Sequence, residues 1–159
     1  MDNEILVIDD NSDIRLLISG ILKDKGFSVR VAANFDQALN EINKKTPDVA
    51  VIDVKLDKGD NDGIDLLSYI KKIDDDVPVI MISGHANVQM AVDALKLGAF
   101  EFLQKPFSTE RLLNFINRAL ENVSLRKEKQ VLESKLFYSY DIVGQSNSIE
   151  KVKNLIKKT

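Results

Sequence analysis

Five residues supply the types that phosphoryl chemistry needs: Asp9, Asp10, Asp53, Ser83 and Lys105. Each stands at the carboxyl end of a short apolar run. Three carboxylates gathered in one place repel one another, and such a cluster persists only with a cation present or with raised pKa values. A hard divalent ion that takes oxygen ligands and keeps several waters, Mg²⁺ before others, fits that inventory. A carboxylate is also a nucleophile toward phosphorus, giving an aspartyl phosphate. Such a transfer needs a metal on the phosphoryl oxygens, a cation for the developing charge and a hydroxyl to orient the group. Asp53 as nucleophile, Asp10 with Asp9 at the metal, Lys105 as cation and Ser83 as donor fill each place once. Singly, an Asp or Ser at a strand end is an ordinary turn residue. The set carries the signal.

The elements that must position these residues read as alternating strands and helices. Residues 4–8 (EILVI), 28–32 (SVRVA), 49–52 (VAVI), 78–82 (PVIMI) and 100–103 (FEFL) have strand character. Three of these runs are nearly continuous in aliphatic residues and Met, as in parallel strands covered on both faces. Ile14, Leu17, Ile18, Ile21 and Leu22 predict a first helix closed by Gly26. Ala38, Leu39 and Ile42 predict a second, and Ile64, Leu67 and Ile70 a third. Val88, Ala91, Val92 and Leu95 predict a fourth closed by Gly98, and Leu112, Leu113, Ile116 and Leu120 a fifth. Strands joined by helices imply right-handed βαβ units and a three-layer, doubly wound α/β sheet. Ligands bind such sheets beyond the carboxyl ends of the strands, where the five polar residues lie.

The stretch VAVIDVKLDKGDNDGID, residues 49–65, holds Asp53, Asp57, Asp60, Asp62 and Asp65 and invites a calcium reading. A calcium-binding loop of the EF-hand type needs acids at positions 1, 3 and 5, Gly at 6 and Glu at 12. With Gly63 at position 6, Lys58 falls at position 1 and Tyr69 at position 12, and the reading fails twice. The phosphoryl-transfer reading selects Asp53 alone; under it Asp57 and Asp60 are expected to be solvated, and Asp62-Gly63 to turn the chain into the third helix. His85 is the only histidine and has no partner ligands for a metal. Asp13, Asp74, Asp75 and Asp76 suit helix starts and turns.

Hydrophobic content of 44% and charged content of 30% describe an ordinary globular chain. No apolar run approaches the roughly 20 residues of a membrane span. The acidic start MDNEILVIDD is not that of a signal peptide. Without cysteine there are no disulfides or thiolate metal sites, so a cytoplasmic protein is expected. Residues 1–120 carry 14 basic against 20 acidic residues, while residues 121–159 carry 8 against 5. A body with a net charge of −6 argues against direct binding of nucleic acid.

VIDDN, Asp53, Ser83-Gly84 and Lys105-Pro106, at these intervals, resemble the receiver domain of two-component response regulators over residues 4–121. The resemblance implies a flavodoxin-like (βα)5 fold, five strands with five helices, and a set of roles. Asp53 would be the phosphoacceptor. Asp10, Asp53 and the backbone carbonyl of Lys55 would ligate Mg²⁺, with Asp9 acting mainly through water. Ser83 and Lys105 would contact the phosphoryl group, Pro106 would follow a cis peptide bond, and Phe102 would be the aromatic that changes rotamer with Ser83 on activation. Phe100, two residues earlier, lacks that spacing. Gly63 lies ten residues after Asp53, where receivers usually have this glycine at eight. That loop, with VIMISGHANVQMAVDALKLGAFEFLQKPF, resembles NtrX-type regulators of the NtrC family.

The tail extends the resemblance. Residues 122–140 predict a continuation of the last helix as a linker, with Leu125, Leu132 and Leu136 as an imperfect apolar seam. IVGQSNSIEKVKNLIKK, within residues 141–159, resembles the start of the AAA+ domain of sigma-54 activators, with Ile149, Val152 and Ile156 on one helix face. No G-x-x-x-x-G-K-[S/T] occurs, so no ATPase site is expected in this chain. The resemblance implies a sensor histidine kinase as phosphodonor and a homodimer whose geometry passes through Leu113, Ala119 and the helix beyond Leu120. DNA and sigma-54 RNA polymerase would be reached only through further C-terminal domains. Three rivals remain: a phosphorylation-independent dimerisation scaffold, a phosphohydrolase with an aspartyl-phosphate intermediate, and a flavin mononucleotide binder. The hydrolase lacks its second acid, since Val54 and Lys55 follow Asp53. The flavin phosphate finds a poor host in an acidic edge.

Overall fold

Two strands, β3 (Val49–Asp53) and β4 (Val79–Ser83), are buried along their whole length, and β1 (Glu4–Ile8) is buried after its first residue. Only a sheet covered on both faces buries both sides of a strand, and this is what the aliphatic runs require. The computed structural model describes residues 3–57, 59, 62–85 and 88–123. With β2 (Ser28–Ala32) and β5 (Glu101–Gln104), these strands form one parallel sheet in the order β2-β1-β3-β4-β5. β3, β4 and β5 run one residue further at their carboxyl ends than the apolar runs indicate, because Asp53, Ser83 and Gln104 still pair in the sheet.

The helices are α1 (Ser12–Asp24), α2 (Phe35–Lys44), α3 (Asp62–Ile73), α4 (Val88–Lys96) and α5, helical over 109–123. Side chains alternate across the strands, so two apolar layers form. Leu6, Ile8, Ala50, Ile52, Val79 and Met81 pack with residues of α2, α3 and α4. Ile5, Val7, Val51, Ile80, Ile82 and Leu103 pack with Ile18 and Leu22 of α1 and with Leu112 and Ile116 of α5. Each fully buried Leu or Ile is worth about 1.5–3 kcal/mol relative to exposure, so these layers hold the fold.

Helix ends are fixed by named groups. Asn11 caps α1 through bonds from the Asp13 and Ile14 amides, and Asn34 caps α2 through the Gln37 amide. Gly26 and Gly98 sit at positive φ, +88° and +107°, just past α1 and α4. Around Gly26 the amides of Gly26 and Phe27 return to the carbonyls of Lys23 and Leu22, and around Gly98 those of Gly98 and Ala99 return to Leu95 and Ala94. This pair of backward bonds needs a left-handed residue, which glycine adopts without steric cost.

The structure corrects several expectations. On α4 the stripe Val88, Val92 and Leu95 faces outward, with Val88 81% and Leu95 46% exposed, while Ala94 is the buried residue. The helix has apolar residues on two sides, and the side with Met90 and the small Ala94 lies against the sheet. Leu17 of α1 is 53% exposed rather than core. Ala119 is fully buried and belongs to the α1/α5 layer, so it offers no surface for a partner. Asp57 is exposed yet hydrogen-bonded, its Oδ1 accepting from the Phe35 amide at 3.0 Å. Asp60, Lys58 and the stretch from residue 124, including the linker seam and the AAA+ resemblance, lie outside the described residues.

Candidate functional site: an acidic pocket at the carboxyl edge

Parallel register brings the ends of β1, β3, β4 and β5 to one edge, and the five polar residues follow or close those strands. Asp9 is wholly buried just past β1, while its neighbour Asp10 is exposed. Asp53 ends β3 and Ser83 ends β4; both are buried. Each of Asp9, Asp10 and Asp53 offers a carboxylate oxygen within 4.8 Å of the others. The sequence-derived acid trio is one cluster.

Lys105 follows β5 and spans this cluster. Its Nζ donates to Asp9 Oδ2 at 2.9 Å and to Asp53 Oδ2 at 3.0 Å. Burial alone would lower the pKa of this ammonium, but its hydrogen bonds to Asp9 and Asp53 and the charges of those carboxylates outweigh it, holding the group above its ordinary 10.5. Lys105 is therefore a fixed positive charge beside Asp53. The peptide bond from Lys105 to Pro106 is cis.

Backbone and side-chain donors fix the carboxylates from the other side. The Asn11 amide donates to Asp9 Oδ1 at 2.9 Å, and the Lys55 amide to Asp53 Oδ1 at 3.3 Å. Arg15, one turn into α1, reaches back and donates from Nη1 to the Asp9 carbonyl at 2.7 Å. This pins the peptide that joins Asp9 to Asp10. Arg15 had a legible signal: a helix that follows a strand end after only three residues returns its first turn over that end. Its guanidinium is a second cation at the pocket's margin.

Gly63 explains how β3 and α3 meet. A Cβ there would collide with the Asp53 carbonyl oxygen and stand 2.7 Å from Val54 Cα. The Gly63 amide donates to the Val54 carbonyl at 2.8 Å, which seats the start of α3 directly on the segment after Asp53. Ser83 accepts from the His85 amide at 3.2 Å through its Oγ, and its carbonyl accepts from the Lys105 amide at 2.8 Å. His85 is an exposed loop residue. Phe102 packs partly against the α2–α4 layer, whereas Phe100 packs against the α1/α5 layer. Phe102 also lines, with Val88, Ala91, Lys105 and Arg111, an open cleft of about 760 Å³ beside the pocket.

Three carboxylates against one ammonium leave the pocket net negative, and its donors are all oxygen. Such a set fits a hard divalent cation, with exposed Asp10 on the open side. A doubly wound sheet with an acid trio and a bridging lysine at its carboxyl edge has the build of a signalling receiver.

Comparison with known proteins gives the same class: the family model "Response regulator receiver domain" matches residues 5–117, and the chain belongs to that family. It is 42% identical over 153 residues to the nitrogen assimilation regulatory protein NtrX of Azorhizobium caulinodans, covering 96% of this chain and 34% of that protein. The crystal structure of NtrX from Brucella abortus in complex with ADP superposes with a TM-score of 0.76 at 44% identity, over 83% of this chain and 29% of that one. The crystal structure of the receiver domain of NtrX from Brucella abortus does so at 0.69 and 46%, over 74% and 98%. The domain is thus an NtrX-like receiver of the NtrC family, and not a conventional enzyme. The chain spans about a third of the length of the curated relatives it matches. Among the described residues no helix is long and apolar enough to cross a membrane.

Proposed function

We propose that this domain is a phosphorylation-dependent switch of a two-component system, with Asp53 accepting a phosphoryl group from the phosphohistidine of a sensor kinase. The observation that carries the reading is the ammonium of Lys105, held between Asp53 and Asp9 in a cluster of three carboxylates. A carboxylate oxygen of Asp53 forms a bond to phosphorus as the bond to the donor imidazole breaks, and the imidazole nitrogen takes up a proton. Asp10, Asp53 and the Lys55 carbonyl would hold Mg²⁺, with Asp9 acting through water, and the ion would supply charge neutralisation on the phosphoryl oxygens. Lys105, an ammonium held beside Asp53, contributes a second positive charge. The buried Ser83 hydroxyl stands one residue past the partner of Asp53 in the sheet and donates to a phosphoryl oxygen.

Drawing Ser83 toward the phosphoryl group frees space beside Phe102, which turns inward from the cleft. The face made by α4, β5 and α5 then changes, and its exposed Val88, Val92 and Leu95 serve a homodimer. On this reading residues 1–121 are the receiver, 122–140 a linker and 141–159 the segment whose sequence resembles the start of a sigma-54 activator's AAA+ module. DNA and sigma-54 polymerase are engaged only through further domains, in the cytoplasm.

Intact-mass measurement after incubation with Mg²⁺ and a small phosphodonor tests the reading. The wild type should gain one phosphoryl group and Asp53→Asn none. Equal gain in both would move the acceptor elsewhere, and no gain in a folded, Mg²⁺-bound wild type would favour a phosphorylation-independent scaffold.

A further inference from the structure

Eight residues, 54–61, lead from β3 to α3, and the first four form a strap that alternates in burial. Val54 and Leu56 are 1% and 5% exposed and sit in the α2–α4 layer, while Lys55 and Asp57 are exposed. The near end of the strap is tied to the sheet, since the Val54 amide donates to the Ile82 carbonyl at 2.9 Å and the Gly63 amide returns to Val54. The far end is tied by a side chain. Asp57 Oδ1 accepts the Phe35 amide at 3.0 Å, across 22 residues of sequence.

Phe35 is the first residue of α2, so its N–H has no carbonyl partner within the helix. A carboxylate at that place also meets the positive end of the helix dipole. The bond therefore anchors the strap to a rigid element that is itself capped by Asn34. Between the two ties lies the Lys55 peptide, whose N–H donates to Asp53 Oδ1 at a long 3.3 Å. A small rotation of that peptide breaks this bond. On the reading given under Proposed function, it also turns away the carbonyl offered to Mg²⁺.

We propose that Asp57 is a positioning residue for the phosphoacceptor pocket: its bond to the Phe35 amide holds the 54–57 strap, and with it the Lys55 peptide, in the geometry that cation binding and phosphoryl uptake need. The inference rests on that reading of Asp53 and Lys55, but it concerns a residue that touches neither the cation nor the phosphoryl group. Partners that orient metal ligands from outside typically change affinity 10–100-fold; a strap also held by two buried side chains should lose less, about three- to tenfold.

The test uses the whole 159-residue chain, wild type, Asp57→Ala and Asp57→Asn. Mg²⁺ is titrated while backbone amide shifts are followed by NMR, phosphoryl uptake is timed by intact mass, and Tm is recorded without divalent ions. Asp57→Ala should raise the Mg²⁺ Kd about three- to tenfold and slow uptake at subsaturating Mg²⁺, with saturating Mg²⁺ restoring the rate. Asp57→Asn, whose side-chain oxygen accepts from the same N–H, should stay within about twofold of wild type. A lowered Tm in Asp57→Ala with unchanged Kd would overturn the proposal, as would an equal loss of affinity in Asp57→Asn, which would assign the effect to charge alone. Failure of the underlying reading is separate: a wild type that binds Mg²⁺ but takes up no phosphoryl group removes the role of Asp53 and leaves the strap to be judged on Kd.

Discussion

Lys105 shows how one side chain decides the electrostatics of a pocket. Its pKa is raised, so the stability it contributes is fully present below the unfolded lysine's value and is lost as pH climbs through the folded one. The stability gap between wild type and Lys105→Met, measured by urea unfolding, should hold level from neutrality to about pH 9 and shrink only above roughly 10.4. A gap that closes near neutrality would mean the ammonium is not the partner of Asp9 and Asp53. At this scale the sequence was most readable. Asp9, Asp10, Asp53 and Lys105 were singled out by residue type and strand-end position, and they converge. Asp57 is exposed, as expected, but its bond to the Phe35 amide was not legible, because residue type says nothing about which distant amide a loop carboxylate reaches.

Backbone fit and helix phase decide how the elements meet. At the junction of β3 and α3 the obstacle to a side chain on residue 63 is backbone, which cannot swing aside. Gly63→Ala should cost about 2–3 kcal/mol in chemical unfolding and weaken Mg²⁺ binding as Asp53 is displaced. The glycine's place, two residues later than usual in receivers, was visible in the sequence; the closeness of its contact was not. On α4 periodicity pointed to Val88, Ala91, Val92 and Leu95, and only the packing showed that the side with Met90 and Ala94 faces the sheet. Thermal unfolding should therefore separate the two helical leucines. Leu95→Glu should shift stability by about 0.5 kcal/mol or less, whereas Leu112→Ala, at a fully buried site, should cost about 2–5 kcal/mol. The caps Asn11 and Asn34 escaped the sequence reading, since an asparagine before a helix is common and only geometry shows which amides it accepts.

Across the whole molecule, the sheet order places β3 at the centre and β5 at an edge with β4 as its one neighbour. Lys105, carried just beyond that edge strand, nevertheless grips Asp53 and Asp9, past β4 and on to β3 and β1. The ion pairs thus act as a cross-brace on an edge strand. An edge strand opens locally at less cost than the central ones, and here opening must first pull the ammonium out of the pocket. Deuterium uptake at the β5 amides of Leu103 and Gln104 is then a gauge of how firmly Lys105 is held. Any change of charge at Asp53 will alter the rate at which a strand two places away in the sheet exchanges its hydrogens with water.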